Sequence, residues 1–250
     1  MTRRVLVTAV VAALTLIQVV VPARADPTAR QFRVYATREG LVGGTTANGH
    51  VIRDRDHFAA LPSRRGLSGR DNGDLTVRVC ATNGRCEWAP VWDVGPWNTK
   101  DDYWNDDREM WGDLPTGTPQ AQAAYENGYN GGTDQFGRHV GNPAAVDLAD
   151  GTFWDGLHLD DNSWVTVLFV WTGTAPTGTV AALSTVHNGP RTTAAEVGLA
   201  APHARVPIAC RTDGEQTTGT EGTSTTWYRL STGKYLAAAH VAGAPEVGYC

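Results

Sequence analysis

Apolar and polar positions alternate along this chain in short runs broken by Gly, Asn, Asp and Pro, the two-residue period of strands with one covered face. The pattern predicts strands at 32–37, 57–60, 75–81, 85–93, 144–148 and 164–171, with further short strands at 206–210, 227–230 and 235–238. A helical period is nearly absent, and 119–125 alone predicts a helix. In 164–171, Val165, Val167, Phe169 and Trp171 share one face, while Trp164, Thr166, Leu168 and Val170 share the other. Both faces read as covered, as in a small closed barrel. The chain is therefore expected to be mostly β.

Two stretches interrupt this rhythm. Residues 99–142 are rich in Asp, Asn, Gly and aromatics; such a length inside a compact β domain is a functional loop or a mobile segment, and Trp104, Trp111, Tyr125 and Tyr129 favour a packed flap. After Trp171 the residues become small, polar and punctuated by Gly and Pro, which predicts a linker at 173–183 between a first domain at 30–172 and a second small β-barrel at 184–250. Eight of the nine Trp precede that linker, so chemistry that uses aromatic surfaces is expected in the first domain.

The first residues change the charge and the compartment. Arg3 and Arg4, an apolar run to Val21 and the ending Ala23-Arg24-Ala25 read as a secretory signal peptide at 1–25. Its apolar run is about seventeen residues, short of a spanning helix. Cleavage would remove three Arg and no acid, taking the formal charge of −5 to about −8. A chain this acidic, with no Lys/Arg cluster, is not built for nucleic acid. A secreted, extracellular or wall-associated monomer without a membrane anchor is expected. The four cysteines then read as disulfides. Cys80 and Cys86 flank the Asn83-Gly84 hairpin turn and would pair locally; Cys210 would pair with Cys250, a closure of roughly 4 kcal/mol against about 2.4 for the short loop.

Two acids stand out. Asp93 ends an apolar run before Gly95-Pro96 and lies between Trp92 and Trp97; it either caps the turn or is a groove carboxylate raised toward general-acid duty. Asp147 sits between Val146 and Leu148, where a charge is costly unless it is paired or faces a wet cleft. Two such carboxylates would suit glycoside cleavage. His50, after the Gly-rich 43–49 loop, reads either as an acid/base partner or as a polar loop residue; the loop lacks the features of a phosphate cradle. The Asp pairs 101–102, 106–107 and 160–161 lack calcium-loop spacing and read as solvated acids. No metal or cofactor is expected. Trp97 and Trp104 are expected to line the groove as stacking surfaces.

Phe32 to Thr37, Thr46-Ala-Asn-Gly49, Ala59-Ala-Leu-Pro62, Val77-Arg-Val79, Trp92-Asp93-Val-Gly-Pro96 and Val146-Asp147-Leu-Ala149, in this order, resemble the six-stranded double-psi β-barrel of rare lipoprotein A and bacterial expansins. The tail, with Gly189-Pro190, 206–210 and 219–227, is similar to bacterial SH3-type domains of secreted actinobacterial proteins. The resemblance implies a cell-wall glycan or plant polysaccharide ligand and wall contact by the second domain. It implies acids at Asp93 and Asp147, taken as catalytic, and a ligand contact at Thr37, and Thr46, His50, Trp97 and Trp104 are further ligand-contact candidates. The chain departs from the lytic transglycosylases by carrying His50 where they have Glu and Leu61 where they have His. Two functions follow: a protein that binds, loosens or cleaves glycan, or a barwin-like cysteine protease inhibitor. The second gains if the flap fills the groove.

Overall fold

The computed structural model describes residues 28–250, so the expected signal peptide lies outside the described residues. Six strands form the first unit: β1 (Gln31–Arg38), β2 (Ala59–Leu61), β3 (Thr76–Cys80), β4 (Cys86–Val94), β5 (Ala144–Leu148) and β6 (Ser163–Phe169). Each pairs with two others, in the order β1-β5-β2-β4-β3-β6 and back to β1, so the sheet closes into a six-stranded barrel with no free edge. The β1–β5 and β2–β4 pairs are parallel and the other four antiparallel. Val34, Val77, Val91, Val146, Leu148 and Val167 fill its interior, the β-branched filling that such a barrel favours.

The 99–142 stretch is folded, as its aromatics predict. Its helix α1 (Gln120–Asn127) starts one residue after the expected position and ends at Gly128 in the left-handed conformation that glycine supplies readily. Tyr103 and Trp104 enter the barrel core, where Trp104 stacks on Phe169 with ring centroids 4.9 Å apart. Trp104 is fully buried and is not the groove surface expected of it, because Phe169 and Trp171 on the barrel's end need an aromatic cover. Asp101 and Asp102 also depart from expectation: both are buried. Asp101 pairs with the buried Arg108 and accepts the Gln120 amide at the start of α1, and Asp102 accepts from Arg65, Asn105 and the Glu109 amide. Each buried charge has its cation, which is what keeps it tolerable. Asp106, Asp107, Asp160 and Asp161 are exposed as expected.

The second unit comprises β7 (Thr177–Val180), β8 (Ser184–His187), β9 (Glu196–Ala200), β10 (Arg205–Gly219), β11 (Gly222–Leu230), β12 (Tyr235–Ala237) and β13 (Val241–Ala242), an antiparallel sheet ordered β13-β7-β10-β11-β12-β8-β9. Residues 173–183 are not a free linker, since they contribute β7, which pairs with β10 and β13. Nor is the unit loosely tethered: β9 adds in parallel to β4, and Trp88, Leu168 and Val170 of the barrel share its apolar core. The approach at Gly198 is close enough to exclude a side chain, for a Cβ there would lie 1.7 Å from the Cys86 carbonyl oxygen. Both expected disulfides form, Cys80–Cys86 and Cys210–Cys250, and no described cysteine is free. Such pairs belong to an oxidising compartment. Among the described residues no helix is long and apolar enough to cross a membrane.

Removing the Trp104 side chain should leave a cavity between the flap and the barrel. Trp104→Ala is expected to destabilise the protein by about 3–5 kcal/mol, read by chemical denaturation; a loss below about 1 kcal/mol would contradict its place in the core.

Candidate functional site

The barrel's register sets up the site. Asp93 on β4 and Asp147 on β5 are each paired with Ala60 of β2, and Asp147 is paired in turn with Thr37 of β1. Thr37, Asp147, Ala60 and Asp93 thus form one row across four strands. Residues opposite one another in a ladder point to one side, and here it is the side away from the core, since the neighbouring Ala36, Leu148 and Ala59 point inward. Two irregularities make this possible. The β2–β4 register steps from Ala59↔Val91 to Ala60↔Asp93, skipping Trp92; the β1–β5 register steps from Tyr35↔Ala144 to Ala36↔Val146. Without the first step, Asp93 would follow Ala89 and Val91 into the barrel. Bulges that re-aim one side chain are a recurrent device beside functional sites.

The two acids stand two strand spacings apart at their backbones, roughly 9–10 Å, and Ala60 between them is too small to separate their side chains. The Thr37 hydroxyl donates to Asp147 Oδ1. Gly95 borders the other oxygen, where an added Cβ would stand 3.6 Å from Oδ2. Asp93 Oδ1 accepts from the Ala47 and Val94 amides at 2.8 and 2.7 Å.

A third acid joins them. Glu39 lies two residues past Thr37 on the same face, its amide still bonded to the Leu148 carbonyl. Its carboxyl faces Asp93, and both its oxygens are buried with no hydrogen-bond donor supplied by the protein. Burial first, then the facing Asp93 and the charges of Asp147 and Asp150, push Glu39 up to about 9. Burial pushes Asp147 up to about 7, with Asp93 adding to the rise and the Thr37 hydroxyl opposing it. Among the described residues no Lys or Arg is hydrogen-bonded to these three acids, although Arg38 and Arg138 line the same cleft. Arg38 turns to Asp150 at 2.7 Å, and Arg138 to Asp134 and the Trp97 carbonyl.

Above the acids opens a cleft of about 430 Å³ lined by Thr37, Glu39, Leu41, Pro96, Trp97, Arg138, Asn142, Asp147 and Asn162 among others. Glu39 and Asp147 are among its lining residues and Asp93 is not. Trp97 does line it, as expected. Its positive φ of 59° is uncommon for a bulky residue. It is held there by its indole N–H on Asn142 Oδ1 and by packing against α1. Its strained backbone and fixed ring suit a contact surface. The flap borders this cleft and leaves it open.

His50 and Thr46 are elsewhere. His50 Nε2 meets Asp56 Oδ2 at 2.7 Å and its ring packs on Trp92 and Phe58, so it is held away from the cleft by this hydrogen bond and packing. Thr46 is buried and bonds Asn48 and the His50 amide; its turn matters only because it offers the Ala47 amide to Asp93. Glu39 was missed because the apolar alternation stops at Thr37. The Thr37-x-Glu39 spacing, which keeps both on one strand face, was the available signal. No described group of three or more His, Cys, Asp and Glu is arranged to hold a metal ion.

Residues 30–168 match the family model described as "Domain of unknown function (DUF8814)". No curated protein matches the chain.

The buried acids couple stability to pH. Glu39 and Asp147 hold protons more tightly folded than unfolded, so their contribution is full below about 4, the unfolded carboxylate range. It is lost as pH rises through about 7 for Asp147 and about 9 for Glu39. The melting temperature should therefore fall across that window, and Glu39→Gln should flatten the fall and raise the melting temperature near pH 8. An unchanged slope in Glu39→Gln would contradict the burial of this acid.

Proposed function

The chain belongs to that family, whose model spans more than half of it, and we propose that it is an exported protein that binds and cleaves glycan strands in the Glu39/Asp147 cleft. One observation carries the reading: an open cleft, walled by Trp97, whose carboxyls are pushed to about 9 and about 7 while its arginines, Arg38 and Arg138, pair with other acids. Two acids whose proton affinities are driven apart divide naturally into an acid and a base.

Glu39 keeps its proton at neutral pH and donates it to the glycosidic oxygen as the C1–O bond breaks. Asp147, oriented by the Thr37 hydroxyl, accepts the proton of the attacking hydroxyl, from water or from the sugar itself, as the new C1–O bond forms. Asp93 does not touch the substrate. As a positioning residue it lends its charge to both neighbours and raises their proton affinity. Trp97 offers a ring for sugar stacking, and Asn142, Asn162 and Arg138 offer donors for hydroxyls. The rare lipoprotein A resemblance lacks its Glu at His50, and Glu39 supplies a carboxyl from just past the end of β1. The closed barrel with two parallel pairings supports the double-psi reading. The second unit's groove of about 390 Å³, lined by Ser184, His187, Glu196 and Trp227, supports wall contact there. The inhibitor reading would gain from a groove filled by the flap, and the open cleft lends it no such gain.

Incubation of the exported form with defined peptidoglycan strands and cellulose oligosaccharides, followed by mass spectrometry, tests this directly. Anhydro ends would mark attack by the sugar's own hydroxyl and new reducing ends attack by water. Glu39→Gln and Asp147→Asn should each lower the rate by about 10²–10⁴-fold while retaining binding. Binding without products would reduce the reading to loosening, and no binding would end it. The rate should rise through about pH 7 and fall through about 9. Asp93→Asn should move both limbs to lower pH with activity retained; abolished activity with unmoved limbs would contradict its positioning role.

A further inference from the structure

The seam between the barrel and the second unit holds a charge with no counterpart. On β3, Val77 and Val79 enter the barrel core while Arg78 points outward, into the zone where the second unit docks. Its guanidinium carbon stands 5.7 Å from the Trp88 ring centroid. Around it are Leu168, Val170 and Pro207 on one side and Val186 and Val197 on the other. No described carboxylate pairs with it, its Nε is buried without a partner, and burial lowers its proton affinity. The Thr232 hydroxyl beside it is also buried without a partner.

Arg78, Trp88 and Thr232 line two adjoining cavities, the larger of about 110 Å³. Lys234 lines the larger one too, with its Nζ on the Asn188 side-chain oxygen rather than on an acid. Two cationic side chains and a hydroxyl thus border one small space, and neither cation is paired with a described acid. Buried unpaired charge is unfavourable and is normally relieved by a partner.

We propose that this seam cavity is a binding site for a small carboxylate carried on a short apolar stem. The planar guanidinium matches a carboxylate edge to edge, Lys234 adds charge, and Thr232 donates to the remaining lone pair. Trp88, Val186 and Val197 cover the stem. The chemistry is shared by the free carboxyl end of a peptide and by a free short-chain acid. This site is independent of the Glu39/Asp147 cleft.

The exported form should be titrated with N-acetylalanine, a peptide end, with butyrate, a free acid, and with N-acetylalanine amide and sulfate, following the Arg78 Nε–H and Trp88 indole signals by NMR. Saturable shifts with either carboxylate, near about 1 mM, and none with the amide, support the site; the tighter carboxylate names the source. Arg78→Met should weaken binding by about tenfold or more and raise the melting temperature without ligand. Thr232→Val, which keeps every charge, should weaken it several-fold and serves if Arg78→Met does not fold. No saturable shift with either acid, equal binding of the amide or sulfate, or undiminished binding by the variants would overturn the proposal.

Discussion

Closure of the barrel through two parallel pairings is the constraint on which the site depends. A parallel pair brings like ends of two strands to the same rim, so β1 with β5 and β2 with β4 deliver their C-terminal or pairing ends together. The shared partner Ala60 then fixes Asp93 and Asp147 to one row, and Thr37 extends it. Nothing in this row is adjustable one residue at a time. A one-residue slip would turn the acids into the apolar interior and the valines out to water, which the core opposes.

The flap and the cleft use the same residue types to opposite ends. In the flap, Asp101 meets Arg108 and Asp102 meets Arg65, so buried charge is neutralised and the loop gains a fixed shape. In the cleft the nearby cations are turned elsewhere, Arg38 to Asp150 and Arg138 to Asp134, and the acids are left to repel one another. That arrangement lowers stability at neutral pH. It leaves the carboxyls holding protons that ordinary surface acids would have lost, which is the condition proton transfer near pH 7 requires. The flap's contribution is indirect: by burying Tyr103 and Trp104 it anchors the segment that carries Trp97 and Arg138 to the cleft wall.

Much of the fold was legible because alternation is a direct record of one covered face. Alternation marks Ala144–Leu148 to the residue and the other barrel strands to within two or three. Both disulfides were legible from the Asn83-Gly84 turn and the even cysteine count. The limits are equally physical. A bulge has no signature in a two-residue period, so the turn of Asp93 onto the outer face could not be seen. Glu39 lies past the last apolar position of β1 and looks like loop. Trp104 has the composition of a stacking surface and the environment of a core residue; only packing separates the two. Strand β7 is built of Thr and Gly and carries little alternation, so its stretch reads as linker, and β8 and β9 are only four and five residues long.

Carbon-13 NMR of the side-chain carboxyls, followed against pH in the unliganded protein, reads the protonation of the two cleft acids without any substrate. Glu39 is expected to titrate near 9 and Asp147 near 7. If both instead titrate with the surface carboxylates near about 4, the cleft acids are solvated and independent, and the acid and base roles assigned to them fall together.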